Sequence, residues 1–210
     1  MSWKDEIEEL RKRKEKALKL GGEEKVRRQH KSNRFTVRER INLFFDKKSF
    51  QEVGILAGKS SYDKNGKLID FTPSNSIIGQ GLVEGSPIIF YGDDFTVRGG
   101  ASDAAIWDKM IAAEKFANEY EIPLVRFIEG TGGGGSVKTL EKQGFSYVPY
   151  NPAWDLVVDN LSKIPVVSLA LGPVAGLGAA RLVSSHYSIM VKKTSQIFVA
   201  GPPLVEKIGE

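Results

Sequence analysis

Hydrophobic and polar positions follow two different periods along this chain. From about Trp3 to Leu20, the apolar residues Ile7, Leu10, Ala17 and Leu18 sit among charges, and Gly21-Gly22 supplies a stop signal, which predicts a helix. A second helix is expected from Glu23 to about Lys31. Thr36 then reads as the N-cap of a short helix through Arg40, Ile41, Phe44 and Phe45, with Glu39 three residues on completing a capping box. From Phe50 the period changes. FQEVGILAG, SIIGQGLVEG and SPIIFYGDD are β-rich runs separated by turn residues, and they predict strands in a meander or hairpins. After Gly99-Gly100, the stretch ASDAAIWDKMIAAEKFANEY places Ile106, Met110, Ala113 and Ala117 on one helical face. IPLVRFIE is a buried strand running into GTGGGG. A looser helical region and the helix PAWDLVVDNLSK follow, the latter with Pro152 at its start. IPVVSLALG is a second buried strand, ending at GPVAGLG and leading into AARLVSS. YSIMVKK and QIFVAG close the pattern as strands, and PPLVEKIGE carries no stop signal, as though more protein should follow. Strands alternating with helices predict an α/β fold.

Composition narrows the possibilities. A chain of 210 residues with 41% apolar content suits one soluble domain with a core. It has no cysteine, which removes disulfides, thiolate metal sites and a cysteine nucleophile. The charged N-terminus lacks an apolar leader, and no apolar run approaches the roughly 20 residues of a membrane helix. A cytoplasmic location is the expectation, or the mitochondrial matrix in a eukaryote. Residues 1–48 carry sixteen Lys/Arg against nine Asp/Glu, a net +7, so they read as a helical arm before a main domain over 49–210. Their mixed signs at i,i+4 spacing suit a solvated or packed helix surface better than a nucleic-acid arm.

Two features share one design, in which a β-branched strand runs into glycines and then a helix. The first is Gly130-Thr131-Gly132-Gly133-Gly134-Gly135, and the second is Pro173-Val174-Ala175-Gly176-Leu177-Gly178. Glycine permits positive φ and close approach to main-chain N–H groups, and a helix start adds free donors. Two such turns on neighbouring strands can aim two N–H groups at one oxygen, an arrangement worth about 2.7–4 kcal/mol per donor to a developing oxyanion. Flexible βα loops are the plain alternative. GTGGGG fits a dinucleotide fingerprint only in letter, because the acidic residue about 20 positions on, Asp155, falls in a helix. The chain has no phosphate-binding loop of the Walker type and no G-x-S-x-G elbow. His186 reads as a structural residue and His30 as a surface one, while Asp93-Asp94 suit a turn cap or salt bridge better than a metal pair.

Collinear motifs now point to a family. YGDDFTVRGGASDAAIWDKM (91–110) resembles the signature stretch of the carboxyltransferase β subunits of propionyl-CoA, methylcrotonyl-CoA and related biotin-dependent acyl-CoA carboxylases. TVRERINLFFDKKSF, GQGLVEGSPIIFYGDD and SIMVKKTSQIFVAGPP resemble further motifs of that family in the same order, so the resemblance covers nearly the whole chain. It implies a crotonase-type fold of stacked ββα units after N-terminal helices, corresponding to the N-terminal half of such a subunit. The second turn is similar to the family's, which makes Gly176 and Leu177 the implied backbone donors, with Ala175 and Gly178 beside the substrate. The first turn departs from it, because the usual Asp-Ser-Gly-Gly-Ala-Arg is replaced and its Arg is missing. Gly132 and Gly133 remain implied donors, with Thr131, Gly134, Gly99 and Gly100 as substrate neighbours. The caseinolytic serine proteases are more distantly similar, but the position of their nucleophile is held here by Gly176, which has no side chain.

The resemblance implies acyl-CoA as substrate and carboxybiotin as carboxyl donor, carried on a separate protein or domain because this chain lacks an Ala-Met-Lys-Met site. The biotin ureido nitrogen would take the α-proton, and the protein would hold the thioester enolate. Implied partners are the C-terminal carboxyltransferase domain of a second subunit, a biotin carboxylase and a biotin carboxyl carrier protein. A homo-oligomer, dimer to hexamer, is implied for a full-length subunit, with no nucleic acid, membrane or metal. Arg34, Arg38 and Arg40 are expected either near CoA phosphates or in helix-surface salt bridges. Alternative readings are a decarboxylase subunit of a biotin-dependent sodium pump and a non-catalytic CoA-binding or assembly module.

Overall fold

The computed structural model describes residues 3–101, 106–130, 141, 144, 152–199 and 206. Three helices open the chain: α1 (Lys4–Leu18), α2 (Glu23–Lys31) and α3 (Val37–Phe44). The capping box read from the sequence starts α3. Thr36 Oγ1 accepts the Glu39 N–H at 3.3 Å, and the Glu39 carboxylate accepts the Thr36 N–H at 2.7 Å. The strands are β1 (Gln51–Val53), β2 (Gly58–Tyr62), β3 (Leu68–Pro73), β4 (Ser76–Val83), β5 (Ser86–Asp93), β6 (Leu124–Gly130), β7 (Val166–Ala175), β8 (Tyr187–Met190) and β9 (Gln196–Phe198). A 3₁₀ turn at Arg98–Gly100 and helices α4 (Trp107–Tyr120), α5 (Trp154–Lys163) and α6 (Leu177–Val183) complete the described elements.

One sheet runs in the order β1-β4-β5-β6-β7-β8, and β9 pairs with the far half of β7. The β1–β4 and β4–β5 pairs are antiparallel, whereas β5–β6, β6–β7, β7–β8 and β7–β9 are parallel. The α/β class expected from the alternation is therefore the class observed.

Pleating decides what each face of the sheet meets. On one face, Ile78, Ile89, Tyr91, Leu124, Ile128, Val166, Ala170 and Val174 pack under α4, α5 and α6 through Met110, Ala113, Ala117 and Leu182. On the other, Ile77, Phe90, Val125 and Phe127 pack against Leu20, Val37, Ile41 and Phe45 of the arm. Phe44, Phe45, Phe50, Phe90 and Phe127 form a chain of ring contacts with centroids 4.9–5.7 Å apart. The arm and the segment over 49–210 thus share one core.

Two details differ from the sequence expectation. β7 does not end at Gly172 but continues to Ala175, because its second half, Pro173–Ala175, gains a partner in β9. β2 and β3 form a separate antiparallel hairpin beside α1, whose signal is the turn Asp63-Lys64-Asn65-Gly66, where the Asp63 carboxylate accepts the N–H groups of Asn65 and Lys67. The helix expected over 101–120 is described from Trp107 onward.

Candidate active site

The second glycine turn reduces to a single residue. Gly176 stands between β7 and α6 at φ 57°, ψ −125°, a conformation that needs the missing Cβ. Its N–H is already used, donating to the Phe198 and Val199 carbonyls at 3.2 and 3.0 Å, and its carbonyl accepts the Ala180 N–H at 3.1 Å. Gly176 is therefore not a free donor, which corrects the expectation for that residue. The free N–H groups come next. Leu177, Gly178 and Ala179 form the first turn of α6, and their N–H groups meet no partner among the described residues. Ala175 is the last residue of β7, directly before this corner.

The end of β6 lies alongside, since Gly130 is the register partner of Val174, two residues before Gly176. Gly130 has φ 120°, and a Cβ there would fall 2.7 Å from the Gly99 carbonyl oxygen and 2.9 Å from Gly100 Cα. Reciprocally, a Cβ on Gly100 would fall 2.7 Å from the Glu129 carbonyl oxygen. The expected substrate neighbours Gly99 and Gly100 thus press, backbone on backbone, against the entrance to the first glycine turn. Thr131, Gly132, Gly133 and Gly134 lie outside the described residues.

Beneath these corners sits a layer of buried charge at the strand ends. The Glu129 carboxylate, 1% exposed, accepts Arg34 Nη1 at 2.6 Å and Arg40 Nη1 at 2.5 Å. Arg38 pairs with Glu52 at 2.8 Å. Of the two alternatives for Arg38 and Arg40, the ion-pair one describes the geometry. Arg40 is turned into the protein, and both charges are matched there, so neither is offered to a phosphate. Asp93 accepts the Glu129 N–H at 3.0 Å and the Tyr91 hydroxyl at 2.8 Å, and Asp94 caps the following turn through Thr96 N–H and Oγ1. Burial pushes both aspartates up, to about 6 each; nearby Arg181 opposes this at Asp93, and the Thr96 hydrogen bonds oppose it at Asp94. Beside this layer a groove of about 430 Å³ opens between α2 and the loop after β5, lined among others by Lys25, Arg28, Arg34, Phe95, Arg98 and Gly99. The Arg34 guanidinium lies 4.8 Å from the centre of the Phe95 ring.

The profile of the family described as carboxyl transferase domain matches residues 28–209. The chain belongs to that family. The propionyl-CoA carboxylase carboxyltransferase subunit of Haloferax mediterranei is 28% identical over 209 residues, covering 99% of this chain and 39% of that protein. The mitochondrial methylcrotonoyl-CoA carboxylase beta chain of Arabidopsis thaliana is 34% identical over 206 residues, covering 95% of this chain and 33% of its own length. Methylmalonyl-CoA decarboxylase subunit alpha of Propionigenium modestum is 28% identical over 204 residues, covering 96% of this chain and 38% of its own. The chain spans between a third and two-fifths of these relatives. Among solved structures, transcarboxylase 12S with methylmalonyl-CoA and methylmalonic acid bound superposes with a TM-score of 0.77 at 24% identity, covering 100% of this chain and 40% of that one. This likeness shows the crotonase-type fold that the motifs implied.

Sequence reasoning passed over one structural cluster of this carboxyl transferase domain. Arg126 in β6 meets Glu114 of α4 through two hydrogen bonds of 2.9 and 2.8 Å, and Asn160 of α5 donates to the same carboxylate at 3.0 Å. Arg181 of α6 lies 3.5 Å from it and 4.2 Å above the centre of the Tyr91 ring. Burial opposes ionisation of Glu114, but Arg126 and Arg181 outweigh it and hold its carboxyl below the ordinary range. The available signal was charge on apolar faces: Arg126 in the strand LVRFIE, and Glu114 between Ala113 and Ala117 on the buried side of α4. His186 is structural, with Nδ1 accepting the Val166 N–H at 3.1 Å and Nε2 3.0 Å from the Leu161 carbonyl.

Proposed function

We propose that this carboxyl transferase domain binds an acyl-CoA and holds the enolate form of its thioester during carboxyl transfer from carboxybiotin. The observation that carries this reading is the free first turn of α6, beside the end of β6. The free N–H groups of Leu177 and Gly178, at the positive end of a helix, can donate to the thioester oxygen as charge develops on it. On the family resemblance alone we assign further donors to Gly132 and Gly133, while Gly99 and Gly100 pack on Gly130 at the end of β6. The groove bearing Lys25 and Arg28 takes the phosphates of CoA, since Lys and Arg suit phosphate. Carboxybiotin, when bound beside this site, would supply the carboxyl group as CO₂ and, by losing it, a ureido nitrogen base for the α-proton. No side-chain base is then required of this chain, which positions the two reactants and stabilises charge.

Titration calorimetry with acetyl-, propionyl- and longer acyl-CoAs, each compared with CoA itself, tests the reading. Saturable binding of at least one acyl-CoA more tightly than CoA is expected, and absence of binding to all of them overturns it. The chain spans between a third and two-fifths of these relatives, and we assign the holding of carboxybiotin to a part of such a subunit that it does not span. The chain by itself is expected to form no carboxylated product from propionyl-CoA and free carboxybiotin.

A further inference from the structure

α1 makes little use of the body to which it is attached. It buries only Ala17, and it meets the β2–β3 hairpin through contacts of Arg13 with Tyr62 and of Lys16 with Asp70. A lone helix of 15 residues is marginal in water, and helices in proteins are mostly held by packing an apolar face. α1 has such a face and leaves it open. Trp3, Ile7, Leu10 and Leu18 follow one another at spacings of four, three and eight, a stripe interrupted by Lys14. They are 66%, 45%, 49% and 50% exposed. Single exposed apolar residues are ordinary, but four in line along one helix form a patch. Helical geometry puts this stripe nearly opposite Lys16, and so away from the hairpin that Lys16 touches.

Charge decides what fits on it. Residues 4–9 hold four carboxylates against one lysine, a net −3, and residues 11–16 hold five cations against one glutamate, a net +4. Two copies of α1 laid parallel would set like halves together. Laid antiparallel, each acidic half meets a basic half, and a single two-fold axis arranges both contacts at once. With Ile7 against Leu10 of the second copy, the same register brings Trp3 against Lys14 of the second copy. An ammonium suits the face of an indole, so the polar residue of the stripe gains a partner. We propose that the face of α1 bearing Trp3, Ile7, Leu10 and Leu18 is the contact surface for a second copy of this chain, packed antiparallel about a two-fold axis. Four apolar side chains a side make a small contact, so the association is weak and sensitive to salt. It is independent of the acyl-CoA reading.

Sedimentation equilibrium of the chain over a concentration series, at low and high salt, tests the proposal. A monomer–dimer equilibrium is expected, about threefold or more weaker at high salt, because screening removes the attraction between unlike halves. A chain that stays monomeric throughout overturns the proposal and leaves the face to a different protein or to solvent. A dimer that tightens with salt overturns the antiparallel arrangement, since only like halves in contact are relieved by screening. Ile7→Ala with Leu10→Ala removes the seam while keeping strong helix formers, so helix content should hold and dimerisation should weaken about tenfold or more. A dimer of wild-type strength in that variant places the contact on another surface and overturns the proposal. Charge reversal then reads the orientation directly. Glu6→Lys with Glu8→Lys in one chain, and Arg11→Glu with Lys14→Glu in another, should each weaken self-association. An equimolar mixture of the two should associate more tightly than either alone, because the basic half of the first meets the acidic half of the second. A mixture no tighter than its components overturns the arrangement. Should charge reversal lower the helix content by circular dichroism, the alanine pair and the salt series decide.

Discussion

Glu114 shows what a single buried residue holds together. Its carboxylate is shared by Arg126, Arg181 and Asn160, and the side chains of both arginines are fully enclosed. Removing the charge strands two guanidiniums whose side chains have no exposed surface. Glu114→Gln should therefore cost about 3–5 kcal/mol, read as a fall in the urea midpoint with unchanged slope. Glu119, on the exposed end of the same helix and paired with Lys115, is the control, and Glu119→Gln should cost less than about 1 kcal/mol. Residues of this kind mark where the sequence was least legible. Arg40, Glu114, Arg126 and Glu129 are charged, and charge in a linear pattern reads as surface. Their burial follows from which partner the fold brings opposite, such as Glu129 meeting Arg40 from 89 positions away. The glycines were more legible, because positive φ and close approach are local demands, met here at Gly130 and Gly176.

At the scale of elements, the corner between β7 and α6 was legible as a strand, a glycine and a helix, but its free donors were displaced from the expected place. The Gly176 N–H belongs to β9, a pairing that depends on a strand twenty residues later, and the free end begins at Leu177. Proline at the first position of a helix fits the backbone and removes only the N–H group. Leu177→Pro should accordingly keep the melting temperature within a few degrees and lower the preference for acyl-CoA over CoA. An unchanged preference would place the thioester oxygen elsewhere.

The end of β5 makes a second element-scale prediction. Asp93 and Asp94 are pushed up to about 6 by burial, from an ordinary value of 3.8. A carboxyl whose pKa is raised on folding binds more protons in the native state, so its contribution is full below about 3.8 and is lost as pH rises through 6. Glu39, Asp70 and Glu114 are shifted down and lose their contribution only at lower pH, which leaves the window from 5 to 7 to the two aspartates among these carboxyls. The urea midpoint should fall between pH 5 and pH 7. In Asp94→Asn, whose side-chain oxygen can still accept from Thr96 N–H, that fall should be smaller.

At the scale of the whole molecule, the arm is half of the sandwich around the sheet. The sequence showed three helices there with a net positive charge but not what they cover, because contact between Ile41 or Phe45 and Phe90 or Phe127 spans far more chain than any periodicity reaches. The parts of the arm are unequal. α1 buries only Ala17 and otherwise meets the β2–β3 hairpin through Arg13 with Tyr62 and Lys16 with Asp70, exposed contacts of small net worth. Leu20, Val37, Ile41 and Phe45 instead cover β4, β5 and β6 on one face of the sheet, Arg34 and Arg40 pair with Glu129, and Gln29 donates to it. Removing residues 1–15 should lower the urea midpoint only slightly and leave acyl-CoA binding within about threefold. Removing residues 1–48 exposes Phe90, Val125 and Phe127 together with an unpaired buried carboxylate, losing several large side-chain contacts at about 1.5–3 kcal/mol each against a total stability of only about 5–15 kcal/mol. That truncation should yield chain without a cooperative unfolding transition. If it instead unfolds cooperatively and keeps its preference for acyl-CoA over CoA, the sheet and its glycine turns are self-sufficient and the arm is an appendage.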